Sequence, residues 1–225
     1  MGLFDFLKKN NTRKEVGQPT GFGNETVAAP VTEFNGVPLL NLEKGQILDL
    51  NKYADNLKNV RASAGWKFNN RHGADFDLDL CAYLSDGKEI FQTVYYGKKG
   101  NRHDPIWLDG DDLKGSKKGN DNENIFVKLH ELPRRTKEVY FAVVIYMAES
   151  KKQCFEPVRD AYMRLVDVDN GNKEICRFSL SENGGSNTAV LATKLFRKES
   201  GWSFEALGIY SCDSITSLMN KLPMK

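Results

Sequence analysis

The run Asp75-Phe76-Asp77-Leu78-Asp79-Leu80 constrains the fold of this chain more than any other short segment. In a β-strand, successive side chains point to opposite faces. The three aspartates therefore share one face, and Phe76, Leu78 and Leu80 share the other. The apolar face asks for a core. The acidic face sets carboxylates in a row, and their repulsion disfavours folding unless a cation offsets it. Calcium suits such a site, because it accepts oxygen ligands in flexible geometry.

A second acidic segment lies downstream. It reads Asp109-Gly110-Asp111-Asp112-Leu113-Lys114-Gly115-Ser116-Lys117-Lys118-Gly119-Asn120-Asp121-Asn122-Glu123. Its three glycines allow a tight backbone path, and its four aspartates and Glu123 supply oxygens. Zinc would want His or Cys, and the segment has neither. No twelve-residue frame pairs the central glycine and terminal glutamate of an EF-hand. The candidate ligands are Asp75, Asp77, Asp79, Asp109, Asp111, Asp112, Asp121 and Glu123. The competing reading of the downstream segment alone is an acidic surface turn without metal.

The rest of the chain reads as strand after strand. Alternating or continuous apolar runs predict strands over 47–50, 60–68, 76–84, 93–96, 125–129, 139–147, 162–167, 174–180, 189–197 and 202–207. Asp169-Asn170-Gly171-Asn172 and Lys198-Glu199-Ser200-Gly201 carry hairpin chemistry, and Ser85-Asp86-Gly87-Lys88 follows the acidic strand in the same way. Helix is confined to 150–159, shortened by Pro157, and to 214–222. The fold class is all-β, a β-sandwich with one or two short helices.

The expected organisation has three parts. Residues 1–36 form an amphipathic start and a flexible linker rich in Asn, Thr, Gly and Pro. Residues 37–210 form the sandwich, and 211–225 form a tail with helical potential. Leu3, Phe4, Phe6 and Leu7 followed by Lys8 and Lys9 permit weak membrane-surface contact through Met1–Lys9; docking on the chain's own domain or a partner is the other reading. Phe6 stands where a myristoylation motif needs Ser or Thr.

A net charge of +2 gives no global field for nucleic acid, which is not expected as a partner. Cys81, Cys154, Cys176 and Cys212 have long spacings without a Cys-x-x-Cys, so they support neither a zinc site nor a redox motif. Cys81 and Cys176 read as buried thiols. With no signal peptide and no apolar run near ~20 residues, the expectation is a cytoplasmic protein without a transmembrane helix. His72, His103 and His130 share no ligand spacing, and Trp66, Trp107 and Trp202 read as core residues.

The chain resembles the TerD family of bacterial tellurium-resistance and stress proteins. The resemblance rests on Gly73-Ala74-Asp75-Phe76-Asp77-Leu78-Asp79, the Gly110-Asp111-Asp112 opening and Asp121-Asn122-Glu123 close of the acidic segment, and strand 139–146. Leu42-Glu43-Lys44-Gly45-Gln46, Trp66, Cys154 to Arg164, Leu180-Ser181-Glu182, Thr188-Ala189-Val190 and Trp202 to Gly208 match as well, from about Leu39 to Tyr210. The resemblance implies a calcium-binding sandwich with ligands from the acidic strand and segment. It also implies a non-enzymatic role in a stress-response complex with protein partners, peripheral to the inner membrane. Asp112 and Asn122 depart from the family's usual Asn and Asp, and Ser116-Lys117-Lys118 replaces an acidic centre in a loop one residue longer. Two lysines near a cation cost affinity. The expectation is therefore fewer calcium ions or weaker binding.

Two other functions compete. One is a sandwich in which calcium helps hold a sugar or cyclic nucleotide. The other is an Asp-x-Asp metal-dependent phosphohydrolase. Scarce helices speak against the latter, and no P-loop, dinucleotide fingerprint or Ser-His-Asp arrangement accompanies it.

Overall fold

The computed structural model of the chain describes residues 31–34, 37–52, 56–67, 76–110, 121–181 and 184–222. Thirteen strands and two short α-helices occur among them. The strands are β1 (Val31–Phe34), β2 (Val37–Leu42), β3 (Ile47–Asp49), β4 (Asn59–Gly65), β5 (Leu78–Ser85), β6 (Ile90–Val94), β7 (Ile106–Asp109), β8 (Glu123–Lys128), β9 (Glu138–Ile145), β10 (Tyr162–Asp167), β11 (Lys173–Ser179), β12 (Ala189–Lys198) and β13 (Gly201–Ser211). The helices are α1 (Ala148–Lys151) and α2 (Ile215–Lys221).

They build two sheets, in the orders β1-β2-β11-β10-β4-β8-β7 and β3-β13-β12-β9-β5-β6. The expected sandwich is what forms. All pairings are antiparallel except β2 with β11. The period of two decides which residues fill the gap. Val60, Ala62 and Ala64 of β4 meet Leu78, Leu80 and Ala82 of β5 in one buried cluster, with Phe141, Val143, Met163 and Leu165. Each fully buried Leu, Val or Phe contributes roughly 1.5–3 kcal/mol relative to exposure.

The second sheet buries its outer face too. Cys81, Tyr83, Tyr140, Ala142, Val144 and Leu191 form a separate cluster beneath Leu218 and Leu222. Ser214 caps α2 by accepting the Ser217 amide at 3.1 Å. The Tyr83 hydroxyl donates to the Ile215 carbonyl at 3.0 Å. The segment beyond residue 210, expected as a tail, is thus packed onto the domain. Its buried leucines explain the difference.

Other differences are local. Residues 31–34, expected within the linker, form β1 against β2. Strands β2 and β7 are absent from the expected set. The strand expected over 93–96 ends at Val94, because Tyr95 and Lys98 close a turn with paired backbone bonds of 3.2 and 2.8 Å. The early helix is shorter than expected and lies N-terminal to it, entered through Met147 in the left-handed conformation (φ 53°). The segments 1–30 and 223–225, with the membrane-contact reading of Met1–Lys9, lie outside the described residues.

One cross-strand pair is unusually close. Gly65 of β4 lies opposite Tyr162 of β10, whose ring covers the glycine so tightly that a β-carbon there would overlap it. Arg177 stacks above the same ring, 3.9 Å from its centroid. Gly65→Ala is expected to cost about 1–3 kcal/mol by overpacking, read as a lower denaturant midpoint at unchanged slope.

At the start of α2, Asp213 accepts from the Lys221 ammonium at 2.7 and 2.8 Å and from the Ser217 hydroxyl at 2.7 Å. These bonds, Lys221 first, hold its carboxyl below the ordinary 3.8. A depressed carboxyl adds stability above its unfolded pKa, which is lost as pH falls through the folded value. Hydrogen exchange at the α2 amides is expected to rise selectively below pH 3.8, and Asp213→Asn should remove that pH dependence.

Candidate metal centre

The first half of β5 has an open flank. Tyr146 donates its amide to the Asp77 carbonyl at 2.8 Å, which sets Asp77, Asp79 and Cys81 to bond with β9. The Leu78 and Leu80 amides therefore point the other way, toward the side of β6. Strand β6 begins its pairing only at Ala82. Leu80 instead donates to Oε2 of Glu123, a residue of the opposite sheet. Glu123 lies in phase with the inward-facing Ile125 and Val127, so its carboxylate is fully buried between the sheets.

Asp77 and Asp79 share the outer face of β5 with Cys81 and Tyr83, while Leu78 and Leu80 enter the core, as the sequence alternation implies. Asp77 is 6% exposed and Asp79 3% exposed. Three buried carboxylates thus approach the start of β5, two from its own outer face and one from the facing sheet. The Cys81 thiol registers the field: burial first, then Asp79 and Glu123, push it well above its ordinary value.

Trp66 braces the two acidic elements against each other. Its indole N–H donates to the Phe76 carbonyl at 3.1 Å, just ahead of Asp77. Its amide donates to Oδ1 of Asn122 at 2.8 Å, just ahead of Glu123. The Asn122 amide in turn donates to the Ala64 carbonyl at 2.8 Å. Trp66 is buried in the core, as its predicted strand position implies, and it also joins the site. Its two polar contacts lie across 10 and 56 residues of chain, so no local pattern announces them.

Asp121 is placed differently. Its carboxylate takes Arg164 Nε at 2.8 Å and Nη2 at 2.6 Å, Arg61 Nη2 at 3.3 Å and the Tyr162 hydroxyl at 3.0 Å. Arg164 also reaches Glu174 at 2.6 Å, and Glu174 holds Arg177 at 2.9 Å. This network covers the outer face of the first sheet. Asp109 ends β7, exposed, 3.7 Å from Arg102. Asp75, Asp111 and Asp112 lie outside the described residues. Among the described residues, no group of three or more His, Cys, Asp or Glu side chains is gathered as a metal site by itself. The donors present are carboxylate oxygens, the chemistry of a hard cation.

A family model described as TerD domain matches residues 39–222. Over 173 residues the chain is 34% identical to "Tellurium resistance protein TerD" of Serratia marcescens, covering 75% of this chain and 89% of that protein. It is 33% identical over 174 residues to "General stress protein 16U" of Bacillus subtilis (strain 168), with 75% and 89% coverage. A solved structure of a homologue of telluride resistance protein (TerD) from Streptomyces coelicolor A3(2) shares the fold. Its TM-score is 0.60 at 17% identity, covering 72% of this chain and 94% of that one.

The burial and field at Cys81 generate a direct expectation. Iodoacetamide at pH 8 should label the exposed Cys212 in the native protein and leave Cys81 unmodified until denaturant is added, as read by peptide mass spectrometry.

Proposed function

The chain belongs to the TerD domain family, and from that premise we propose that it is a calcium-binding, non-catalytic module of a bacterial tellurium-resistance or stress response. The observation that carries the calcium reading is the burial of Asp77, Asp79 and Glu123 around the open flank of β5. Buried anions are costly unless a cation or hydrogen bonds compensate them. A calcium ion would neutralise them. Asp77, Asp79 and Glu123 would hold it together with Asp75, Asp111 and Asp112. Asp121, gripped by Arg164 and Arg61, would position the end of the acidic segment instead of ligating. Lys117 and Lys118 would lower the affinity.

The resistance and stress roles come from the names of the relatives. Among the described residues no helix is long and apolar enough to cross a membrane. Our reading places the protein in the cytoplasm. There it would work with protein partners of a stress-response complex peripheral to the inner membrane, with Met1–Lys9 as the contacting segment.

Calorimetric titration of chelator-stripped protein tests the proposal. Saturable calcium binding is expected, weakened about ten-fold or more by Asp77→Asn, with magnesium a poor competitor. No heat of binding up to roughly millimolar calcium would overturn it. Ordering of the acidic segment by calcium is read separately, as slower proteolysis within 109–123. Equal cleavage with and without the ion would sink that part.

A further inference from the structure

On the outer face of the second sheet, beside α2, a cleft of about 800 Å³ opens over β5, β6 and the β9–α1 junction. Small-molecule sites typically run ~300–1,000 Å³. Three tyrosines form its aromatic wall. The rings of Tyr95 and Tyr96 meet edge to face, with centroids 5.4 Å apart at 89°. Tyr96 and Tyr146 repeat the arrangement at 5.5 Å and 89°. Two successive edge-to-face contacts set the three rings around one corner of the cleft.

The corner is built by its backbone. The Tyr95–Lys98 turn is closed by reciprocal main-chain bonds, and it brings Tyr96 beside Tyr95. Gly97 is needed there, because a β-carbon would lie 2.7 Å from the Tyr95 ring. The rim holds Met147, which is 55% exposed and kept at positive φ.

Charge decides what the corner can take. The ionisable carboxylates and amines lining the cleft are Asp79, Glu149 and Asp213 against Lys98, with Asp213 already engaged by Lys221. Asp79 is the buried one of these, whereas Lys98 is exposed. The faces of tyrosine rings attract cations, methylated ammonium groups above all. One of the three already attracts this chain's own amine, the Lys151 ammonium lying 4.9 Å from the centroid of Tyr146.

We propose that this cleft is a binding site for a small organic cation of the methylated-ammonium class, seated in the Tyr95–Tyr96–Tyr146 corner with Asp79 as its counter-charge. The site shares Asp79 with the calcium reading but differs from it in its aromatic wall and in its occupant, a soft, weakly hydrated cation. The full chain, kept in chelator so that calcium plays no part, is titrated by calorimetry with choline and with 3,3-dimethyl-1-butanol, its neutral isostere. Choline is expected to bind saturably and at least about ten-fold more tightly than the isostere. Tyr96→Leu and Tyr146→Leu should each weaken choline about ten-fold while leaving the melting temperature unchanged. Equal affinity for choline and the isostere would overturn the proposal, as would absence of saturable choline binding. Tighter capture of a trimethyllysine peptide than of choline would also overturn it, since the occupant would then be a modified protein. Calcium titration of Tyr96→Leu and Tyr146→Leu separates the two readings, because neither tyrosine is among the proposed calcium ligands: unchanged calcium binding beside weakened choline binding is expected.

Discussion

Where β6 has not yet reached β5, the Leu80 amide crosses the sandwich to a carboxylate on the facing layer. The rest of the acidic architecture depends on this contact between Leu80 and Glu123. A fully buried carboxylate is penalised by several kcal/mol, and a charge-assisted bond to a backbone amide offsets part of that. In return it fixes the position of β8 against β5 without a continuous ladder between them. Trp66 repeats the arrangement with two bonds, one to each acidic element. The start of β5 and the end of the acidic segment are therefore held side by side by protein contacts alone.

The outer face of the first sheet supplies the second anchor. Isolated surface ion pairs contribute only ~0–1 kcal/mol. Arg164 does more than form one pair, because its fork grips Asp121 with two nitrogens and reaches Glu174 with a third. The planar guanidinium suits this bidentate geometry in a way an ammonium does not. Arg177 then lies over Tyr162, and Tyr162 returns its hydroxyl to Asp121. The residue before Asn122 and Glu123 is thus fixed from the outside while Glu123 is fixed from within.

Much of the fold was legible because alternation is a strong signal when each sheet has a core face. The 162–167 strand and the Asp169–Asn172 hairpin lie where composition puts them. Strand β7, Ile-Trp-Leu-Asp, escaped because four residues behind Pro105 are too few to show a period. In the candidate site, Asp77 and Asp79 are on the side of β5 that the sequence implies. The inward phase of Glu123 was there to be read from Glu123-Asn124-Ile125-Phe126-Val127, since it shares parity with two core residues. The grip on Asp121 was not, because Arg61 and Arg164 are 60 and 43 residues away and carry no local pattern. The tyrosine corner was hidden for the same reason: Tyr146 joins Tyr95 and Tyr96 only through the fold.

Gly65 and Tyr162 share one small volume on the first sheet, the missing side chain of one being the space taken by the ring of the other. Neither position can drift alone. A larger residue at 65 displaces the ring and, with it, the hydroxyl on Asp121 and the stacking surface for Arg177. A smaller residue at 162 leaves the glycine backbone uncovered. In descendants of this chain the two positions should change together or not at all, so that across a lineage they behave as a single heritable character written in two places.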